Sequence, residues 1–334
     1  MLGQQGCRLV TGVTIQGYEA VIMENSLLRL VILPEKGTDV VEFLYKPKDC
    51  DFTWGTAWGL RPKGLCDGFI LNYEGGWQEV FPNGGMPSHH NGADFEQHDE
   101  VALLSWQWSI QERLEDHVAI TFTVDLLKTP YRLNKTIHLR AKEARVTVEE
   151  TVENLSAFDQ QAMWGQHFAF GPPFLESGCH IDAAAKTVRV VNEPGGPRRF
   201  REGSYEWPFI PGVDGGVHDA SVLPEFGSGR DIVYLGDFTD GVYRINNPRI
   251  GVTLQVEWDA SVFPECWFWQ EFGDDGYPWY GRHYNIGLEP FRGYPTHGLA
   301  EAVANGSAMT VKGRQTASTQ WAVSVSEEQM RFDG

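Results

Sequence analysis

The stretch HVAITFTVDLL, residues 117–127, alternates apolar side chains with smaller or polar ones. This alternation puts five apolar side chains on one face of an extended chain: Val118, Ile120, Phe122, Val124 and Leu126. A half-buried β-strand has this pattern. The same reasoning predicts further strands at residues 28–33, 145–152, 232–235, 242–245, 250–257 and 319–325.

Strand patterns continue along the chain, and helical periods are scarce. The best short helix is residues 299–304, ended by Asn305-Gly306, and Asn246-Asn247-Pro248 predicts the turn of an antiparallel hairpin. No GxGxxG or GxxxxGK[ST] loop is present to bind a nucleotide. Residues 75–87, 194–197 and 208–216 are rich in Gly and Pro and predict loops. We therefore expect an all-β chain, a large antiparallel β-sandwich forming one domain over residues 1–334.

Composition limits the classes of partner. The formal net charge of −18 opposes nucleic-acid binding, which draws affinity from Lys and Arg. The five cysteines are scattered, odd in number and without a C-x-x-C pair, which disfavours a secreted disulfide framework. The N-terminus has no signal-peptide pattern, and no apolar run is long enough to span a bilayer. We expect a soluble cytoplasmic protein that binds neither nucleic acid nor membrane, and its oligomeric state is left open.

The stretch MWGQHFAFG, residues 163–171, predicts a strand with two different faces. Alternation places Trp164, Phe168 and Phe170 on one face with Gln166. Met163, Gly165, His167 and Ala169 fall on the other face. The small neighbours of His167 predict open space for a flat, polar ligand. A lone histidine in an aromatic strand is more often a hydrogen-bonded structural residue. His167 therefore indicates a catalytic site only together with a second reactive group.

That second group occurs in YNIGLEPFRGYP, residues 284–295. Alternation places Asn285, Gly287 and Glu289 on one face, away from the apolar side chains of this segment. Glu289, like His167, has a glycine two residues earlier on its own face. A histidine and a carboxylate presented over vacant space would form an acid and base pair.

Three motifs carry a resemblance to a known family. They are HDEVALLSW beginning at His98, VENLS…WGQHFAFG with Asn154 and His167, and GLEPFRGYP with Glu289. Their order resembles the aldose 1-epimerase, or galactose mutarotase-like, family. The resemblance implies a large antiparallel β-sandwich and interconversion of the α and β anomers of a free aldose, without an organic cofactor.

The resemblance also implies roles for these residues. His167 matches the family's general acid, Glu289 its general base and His98 its second, substrate-orienting histidine. Asp99 follows His98 where the family usually has glycine, so the family's loop conformation is not implied there. Chemically, Glu289 would take the proton of the C1 hydroxyl while a protonated His167 supplies one to the ring oxygen. The aldehyde would rotate and close on its other face, and no metal or redox centre is needed.

Further residues are candidates for binding the monosaccharide. Asp219 resembles the position from which the family supplies a sugar-contacting aspartate. Arg61 and Gln270 carry guanidinium and amide groups that bridge neighbouring hydroxyls. The pair His89-His90 raises the possibility of a metal site with His98, but adjacent strand residues point in opposite directions, so we expect no metal.

Two other functions are open to the same sequence. The first is a carbohydrate-binding or regulatory protein that keeps the cleft without catalysis, which Asp99 in place of glycine favours. The second is glycoside cleavage, for which Glu271 and Glu289 would supply two carboxylates. Phosphorylated aldoses also stay open as substrates, although no phosphate cradle is visible.

Overall fold

A computed structural model describes residues 6–193 and 199–327 of the chain. Within these residues the helices are few and short: α1 (Phe69–Asn72), α2 (Leu299–Ala304) and two 3-10 turns at Lys46–Lys48 and Val101–Leu103. None of them is long and apolar enough to cross a membrane. Strands make up the rest of the regular structure.

The strands are numbered along the described chain. In its first half they are β1 (Arg8–Ile15), β2 (Tyr18–Glu24), β3 (Leu28–Leu33), β4 (Asp39–Tyr45), β5 (Cys50–Asp51), β6 (Trp77–Val80), β7 (Ser88–His90), β8 (Ala93–Phe95), β9 (Gln107–Arg113), β10 (His117–Asp125), β11 (Tyr131–Arg140), β12 (Arg145–Asn154) and β13 (Gln160–Ala162). In its second half they are β14 (Trp164–Phe170), β15 (His180–Ala183), β16 (Thr187–Val190), β17 (Gly203–Glu206), β18 (Phe209–Pro211), β19 (Val217–Asp219), β20 (Gly229–Gly236), β21 (Val242–Asn247), β22 (Val252–Trp258), β23 (Glu265–Phe272), β24 (Tyr284–Arg292), β25 (Met309–Val311) and β26 (Thr316–Ser326).

Two large antiparallel sheets form the sandwich. The larger runs in the order β1-β2-β3-β4-β6-β14-β24-β23-β20-β16-β17, with β5 paired to β4. The smaller runs in the order β15-β21-β22-β26-β12-β11-β10-β9. Three two-stranded antiparallel sheets, β13 with β25, β18 with β19 and β7 with β8, lie outside the two large sheets. This architecture confirms the prediction of an all-β antiparallel sandwich.

The core lies between the two sheets because alternating side chains of both point inward. From the smaller sheet, Val118, Ile120 and Phe122 on β10 are fully buried. From the larger sheet, Trp164 and Phe168 on β14 join the same apolar cluster. Burial of large apolar side chains on one face of each sheet is what drives their packing.

Most predicted elements are present. Every predicted strand overlaps an observed one. The hairpin between β21 and β22 turns at Asn247, whose Oδ1 accepts from the backbone N–H groups of Arg249 and Ile250. The helix at residues 299–304 is α2. The predicted loops at 75–87 and 208–216 are wrong in part, because they contain β6 and β18. The predicted loop at 194–197 lies outside the described residues.

Candidate active site

The site lies on the outer face of the larger sheet, where β14 and β24 are neighbours. The two strands pair through Gly165 with Phe291 and through Ala169 with Gly287, so His167 and Glu289 lie opposite each other. His167 Nε2 is 3.7 Å from Glu289 Oε1, and both side chains are buried. The structure therefore brings the two predicted catalytic residues together.

The two glycines do not leave the open space that their small size predicted. A Cβ at Gly165 would lie 2.1 Å from Cδ2 of Phe291, whose ring occupies that space. A Cβ at Gly287 would lie 2.4 Å from Oε1 of Glu289. Gly287 thus makes room for the carboxylate itself, which folds back along its own strand toward His167.

The open space lies above these side chains instead. A cavity of about 330 Å³ contains His98, His167 and Glu289 in its wall. This volume falls in the range of small-molecule sites. Its wall also contains apolar and polar residues from α1, β20, β23 and the loops: Phe69, Ile70, Tyr73, Gly85, Met86, Gln97, Glu193, Arg230, Asp231, Ile232, Trp267, Trp269, Glu271, Tyr277, Pro278, Trp279 and Thr296.

Aromatic rings form one side of the cavity. Trp269 lies 6.0 Å from the ring of His167, measured between centroids, and 5.8 Å from Trp279. Trp58 stacks on Trp279 at 5.5 Å, and Trp54 meets the same ring edge-on at 5.2 Å. These contacts fix the orientation of Trp279, which offers an apolar surface next to the acid and base pair.

His98 is held from the opposite loop. The backbone N–H of Gly85 donates to Nδ1 of His98 at 3.2 Å, so in the neutral ring the proton is on Nε2. The rings of His98 and His167 are 5.2 Å apart. His98 has a φ of 51°, a left-handed conformation that few residues other than glycine adopt. Burial, with the nearby His167 as a smaller cause, lowers the pKa of His98 well below its ordinary value.

Burial also shifts the pKa values of His167 and Glu289 in opposite directions. It lowers the pKa of His167 to about 4 and raises the pKa of Glu289 well above the ordinary range. Both shifts favour a neutral His167 and a protonated Glu289, whereas the sequence-based expectation was a protonated His167. The hydroxyl of Tyr73 lies 3.5 Å from His167 Nδ1, and burial raises the pKa of Tyr73, so this group stays an O–H.

A second carboxylate lies beside this pair. Glu271 is opposite Asn285 on β24 and opposite Arg230 on β20. Its Oε1 accepts from the backbone N–H of Asp274 at 3.1 Å, and its buried Oε2 has no hydrogen-bond partner among the described residues. Burial raises the pKa of Glu271 to about 7, so it exchanges a proton near neutral pH.

The three other predicted sugar-binding residues do not reach the cavity. Gln270 points to the opposite face of β23, into the core, where its Oε1 accepts from Arg199 Nη1 at 2.5 Å. Arg61 lies over the ring of Trp58, at 5.4 Å from its centroid, behind the aromatic wall. Asp219 is exposed, and its Oδ1 accepts from the backbone N–H and the hydroxyl of Ser221.

The residue that differs from the family pattern has a structural partner. Asp99 is buried and pairs with Lys128, and its Oδ2 also accepts from the backbone N–H of Glu96. His89 is exposed and lies 2.7 Å from Asp94, measured between Nδ1 and Oδ1. Over residues 6–193 and 199–327, no group of three His, Cys, Asp or Glu side chains is arranged to hold a metal ion.

Sequence reasoning missed most of the wall. Trp267, Trp269 and Glu271 share the face of β23 that pairs with Glu289, Gly287 and Asn285. Alternate residues of a strand point to the same face, so the tryptophans and Glu271 share one face of this segment and Gln270 lies on the other. This alternation could have selected Glu271 rather than Gln270 as the residue on the side of Glu289. Tyr73 and Trp279 reside on loops and had no periodic signal.

Comparisons with known proteins agree with this fold. The sequence profile of the family described as Domain of unknown function (DUF4432) matches residues 15–325. No curated protein matches the sequence.

Several solved structures share the fold. A "putative aldose 1-epimerase" of Klebsiella pneumoniae superposes with a TM-score of 0.75 at 10% identity, covering 96% of this chain and 87% of that chain. A galactose mutarotase-like protein of Clostridium acetobutylicum has a TM-score of 0.64 at 12% identity, covering 96% and 99%. A galactose mutarotase related enzyme of Lactobacillus acidophilus has a TM-score of 0.63 at 12% identity, covering 92% and 97%. At these identities the likeness shows that the chain has the galactose mutarotase-like fold.

Proposed function

The chain belongs to the DUF4432 family, and we propose that it is an aldose 1-epimerase, an isomerase that interconverts the α and β anomers of a free aldose. One observation carries the proposal: a buried histidine and a buried carboxylate, 3.7 Å apart, line one cavity of about 330 Å³. Anomer exchange needs one group that gives a proton and one that takes a proton at the same hemiacetal. His167 and Glu289 are such a pair.

The pair shares one exchangeable proton. A neutral His167 with a protonated Glu289 carries as many protons as an imidazolium with a carboxylate. Moving one proton between Nε2 and Oε1 interconverts the two forms. In either form, one member is an acid and the other is a base, so the pair is ready for two simultaneous proton transfers.

In the proposed reaction, Glu289 as a carboxylate takes the proton of the C1 hydroxyl, and His167 as an imidazolium protonates the ring oxygen. The bond between C1 and the ring oxygen breaks and leaves the open-chain aldehyde, with His167 neutral and Glu289 protonated. After rotation about the C1–C2 bond, the freed hydroxyl attacks the other face of the carbonyl. Glu289 then returns its proton to the carbonyl oxygen, and His167 takes the proton of the hydroxyl.

The protonation state favoured by burial is the state of the open-chain intermediate. A neutral imidazole and a neutral carboxyl group cost less to bury than an ion pair does. In the proposed reaction a proton therefore first moves from Glu289 to His167 to form the reacting ion pair, and ring opening returns the pair to the neutral form that burial favours. In this proposal His98 donates from Nε2 to a sugar oxygen, and Trp269 and Trp279 cover the apolar face of the ring.

The location in the cell is part of the proposal. All five cysteines lie in the described residues and none forms a disulfide, which supports a reducing compartment such as the cytoplasm.

Anomer exchange measured by two-dimensional exchange NMR tests the proposal. Each of several free aldopentoses and aldohexoses is followed with and without the protein, at constant buffer. We expect exchange above the buffer rate for at least one aldose. A protein that binds an aldose by calorimetry and leaves its exchange at the buffer rate would instead be the carbohydrate-binding protein that the sequence also allows.

Glycoside cleavage is a second candidate, because Glu271 and Glu289 line the same cavity. Two carboxylates across an acetal bond are the usual machinery of glycosidases. Release of new reducing ends from a panel of aryl glycosides would select this function. We expect no release of reducing ends. Glu289 lies next to His167, and this pair is suited to proton transfer at a free hemiacetal rather than to cleavage of a glycosidic bond.

A further inference from the structure

Glu271 has no part in the proton transfers proposed above, yet its side chain lines the cavity. Only 1% of the residue is exposed, and its Oε2 has no hydrogen-bond partner in the described part of the chain. A buried carboxylate oxygen without a donor is costly. A hydroxyl of a bound ligand would supply the missing hydrogen bond.

Acidic side chains outnumber basic ones in the part of the cavity wall that the structure describes. Arg230 is the only Lys or Arg among the described lining residues, and its Nε lies 3.4 Å from Oδ2 of Asp274. Four lining residues are acidic: Glu193, Asp231, Glu271 and Glu289. The two histidines of the wall add no positive charge near neutral pH, because burial lowers the pKa of both His98 and His167.

The acidic residues differ in what they can offer to a ligand. Glu193 accepts from the hydroxyls of Tyr234 and Thr296, and Asp231 Oδ2 accepts from the backbone N–H groups of Arg199 and Phe200. These carboxylates are engaged by the protein. Glu271, outside the catalytic pair, is the one that keeps a buried oxygen for the ligand.

We propose that the cavity selects uncharged aldoses over aldoses that carry a phosphate or a carboxylate, and that Glu271 determines this selection. Its Oε2 accepts a hydroxyl of the sugar, and its charge repels an anionic substituent. The inference rests on the proposed function, because the ligand is an aldose only if the protein acts on aldoses as proposed.

The selection depends on pH in a defined direction. Glu271 faces Arg230 on β20, uncharged Asn285 on β24 and Asp274 in the loop that follows β23. Burial raises the pKa of Glu271 to about 7, so the residue is charged above this pH and neutral below it. Discrimination against an anionic sugar therefore strengthens as pH rises through about 7. A hexuronate is the cleaner probe, because a phosphate monoester itself gains charge at a pKa of about 6.

The experiment compares kcat/KM for anomer exchange of a neutral aldohexose, the matching hexuronate and the matching 6-phosphate. Each is measured about one pH unit below and about one unit above the pKa of Glu271. We expect the neutral sugar to be preferred by about ten-fold or more, with a larger preference at the higher pH. The ratio of kcat/KM for two sugars at the same pH removes the effect of the catalytic pair's ionisation, because both sugars use the same pair.

Two variants complete the experiment. Glu271→Gln is expected to reduce the preference over the hexuronate by about ten-fold and to remove its pH dependence. Glu206→Gln removes an exposed charge on β17 of the same sheet and is expected to leave the preference unchanged. The pH dependence of the wild-type ratio tests the inference even where a variant folds poorly.

The outcomes separate this inference from the proposed function. An anionic sugar exchanged faster than its neutral parent, or an unchanged ratio in Glu271→Gln, would overturn the inference and leave the epimerase intact. Absence of exchange for every aldose would overturn the epimerase. Calorimetric binding of the same three sugars then decides the selectivity: tighter binding of the neutral sugar supports it, and tighter binding of an anionic sugar overturns it.

Discussion

His167 and Glu289 owe their proposed chemistry to burial as much as to their residue types. On the protein surface a histidine and a glutamate near pH 7 would be largely neutral and fully ionised, respectively. Burial lowers the pKa of His167 to about 4 and raises the pKa of Glu289. Both shifts stabilise the neutral form of the pair relative to the ion pair, and the neutral form is the one that the pair has in the proposed open-chain complex.

These shifts predict the pH profile of anomer exchange. Activity requires one exchangeable proton on the pair. A second proton is gained as pH falls through the lowered pKa of His167, so kcat/KM is expected to fall on the acid side near about 4. On the alkaline side it falls where Glu289 loses its proton, above the ordinary glutamate range. Exchange rates corrected for buffer catalysis give the profile, and an acid limb at the ordinary histidine value, about 6.5, would contradict it.

Among individual residues, the candidates that lay in a motif are the ones that the structure brings to the cavity. His167 and Glu289 were found from strand alternation, and His98 from the resemblance. Asp219 and Arg61 were wrong as cavity residues because their placement depends on loop paths that local pattern does not determine.

The strands themselves explain which side chains reach the cavity. Alternate residues of β23 point outward, and Gln270 is one position away from both Trp269 and Glu271. A shift of one residue moves a side chain to the other face of a sheet. The prediction for Gln270 therefore chose the wrong face of a strand that does contribute to the cavity wall.

Gly287 provides a test of how β24 positions its carboxylate. In Gly287→Ala the new methyl group would meet Oε1 of Glu289 at 2.4 Å and displace it from His167. We expect anomer exchange to fall by about 10²-fold, because small misplacements of reacting groups are that costly. Gly55→Ala is the matched control, since a Cβ at Gly55 meets no atom within 4 Å. Equal activity of both variants would show that the carboxylate tolerates displacement.

Gly165 tests the packing beneath His167. In Gly165→Ala the methyl group would meet the ring of Phe291, which is itself stacked on Trp267 at 3.8 Å. Overpacking of this kind costs about 1–3 kcal/mol. Urea unfolding is expected to show that loss in the free energy of unfolding. Unchanged stability would mean that the Phe291 ring moves aside freely.

Across the whole molecule, a buried polar cluster joins the two sheets. Lys135 on β11 lies 2.7 Å from Glu79 on β6 and 3.7 Å from Glu150 on β12. Gln166, next to His167 in sequence, donates to both carboxylates at 2.9 Å. The cluster thus connects the smaller sheet to the back of the strand that carries the proposed acid.

This cluster predicts a large effect of one substitution. Lys135→Met would leave Glu79 and Glu150 buried without a cation, at a cost of about 3–5 kcal/mol. The free energy of unfolding in urea measures this loss. Lys312→Met, which breaks an exposed pair with Asp159, is the control and is expected to leave the unfolding midpoint unchanged. A Lys135→Met variant as stable as the control would mean that the cluster contributes nothing to holding the sheets together.

The sandwich was predictable from alternation, because each strand carries its own signal. Strand order was not, since β14 pairs with β6 and β24, which are remote in sequence. The buried cluster was also missed: Lys135 and Glu150 are polar residues at inward positions, where the pattern predicts apolar ones. The prediction of one domain over residues 1–334 stays a prediction.

The most direct test of the account is a double-mutant cycle on the proposed acid and base pair. Exchange NMR gives the rate of anomer exchange for wild type, His167→Ala, Glu289→Gln and the double variant. We predict that each single variant loses about 10²–10⁴-fold and that the double variant loses no more, because the two groups act as one unit. Single variants that exchange anomers at the wild-type rate would contradict the central claim.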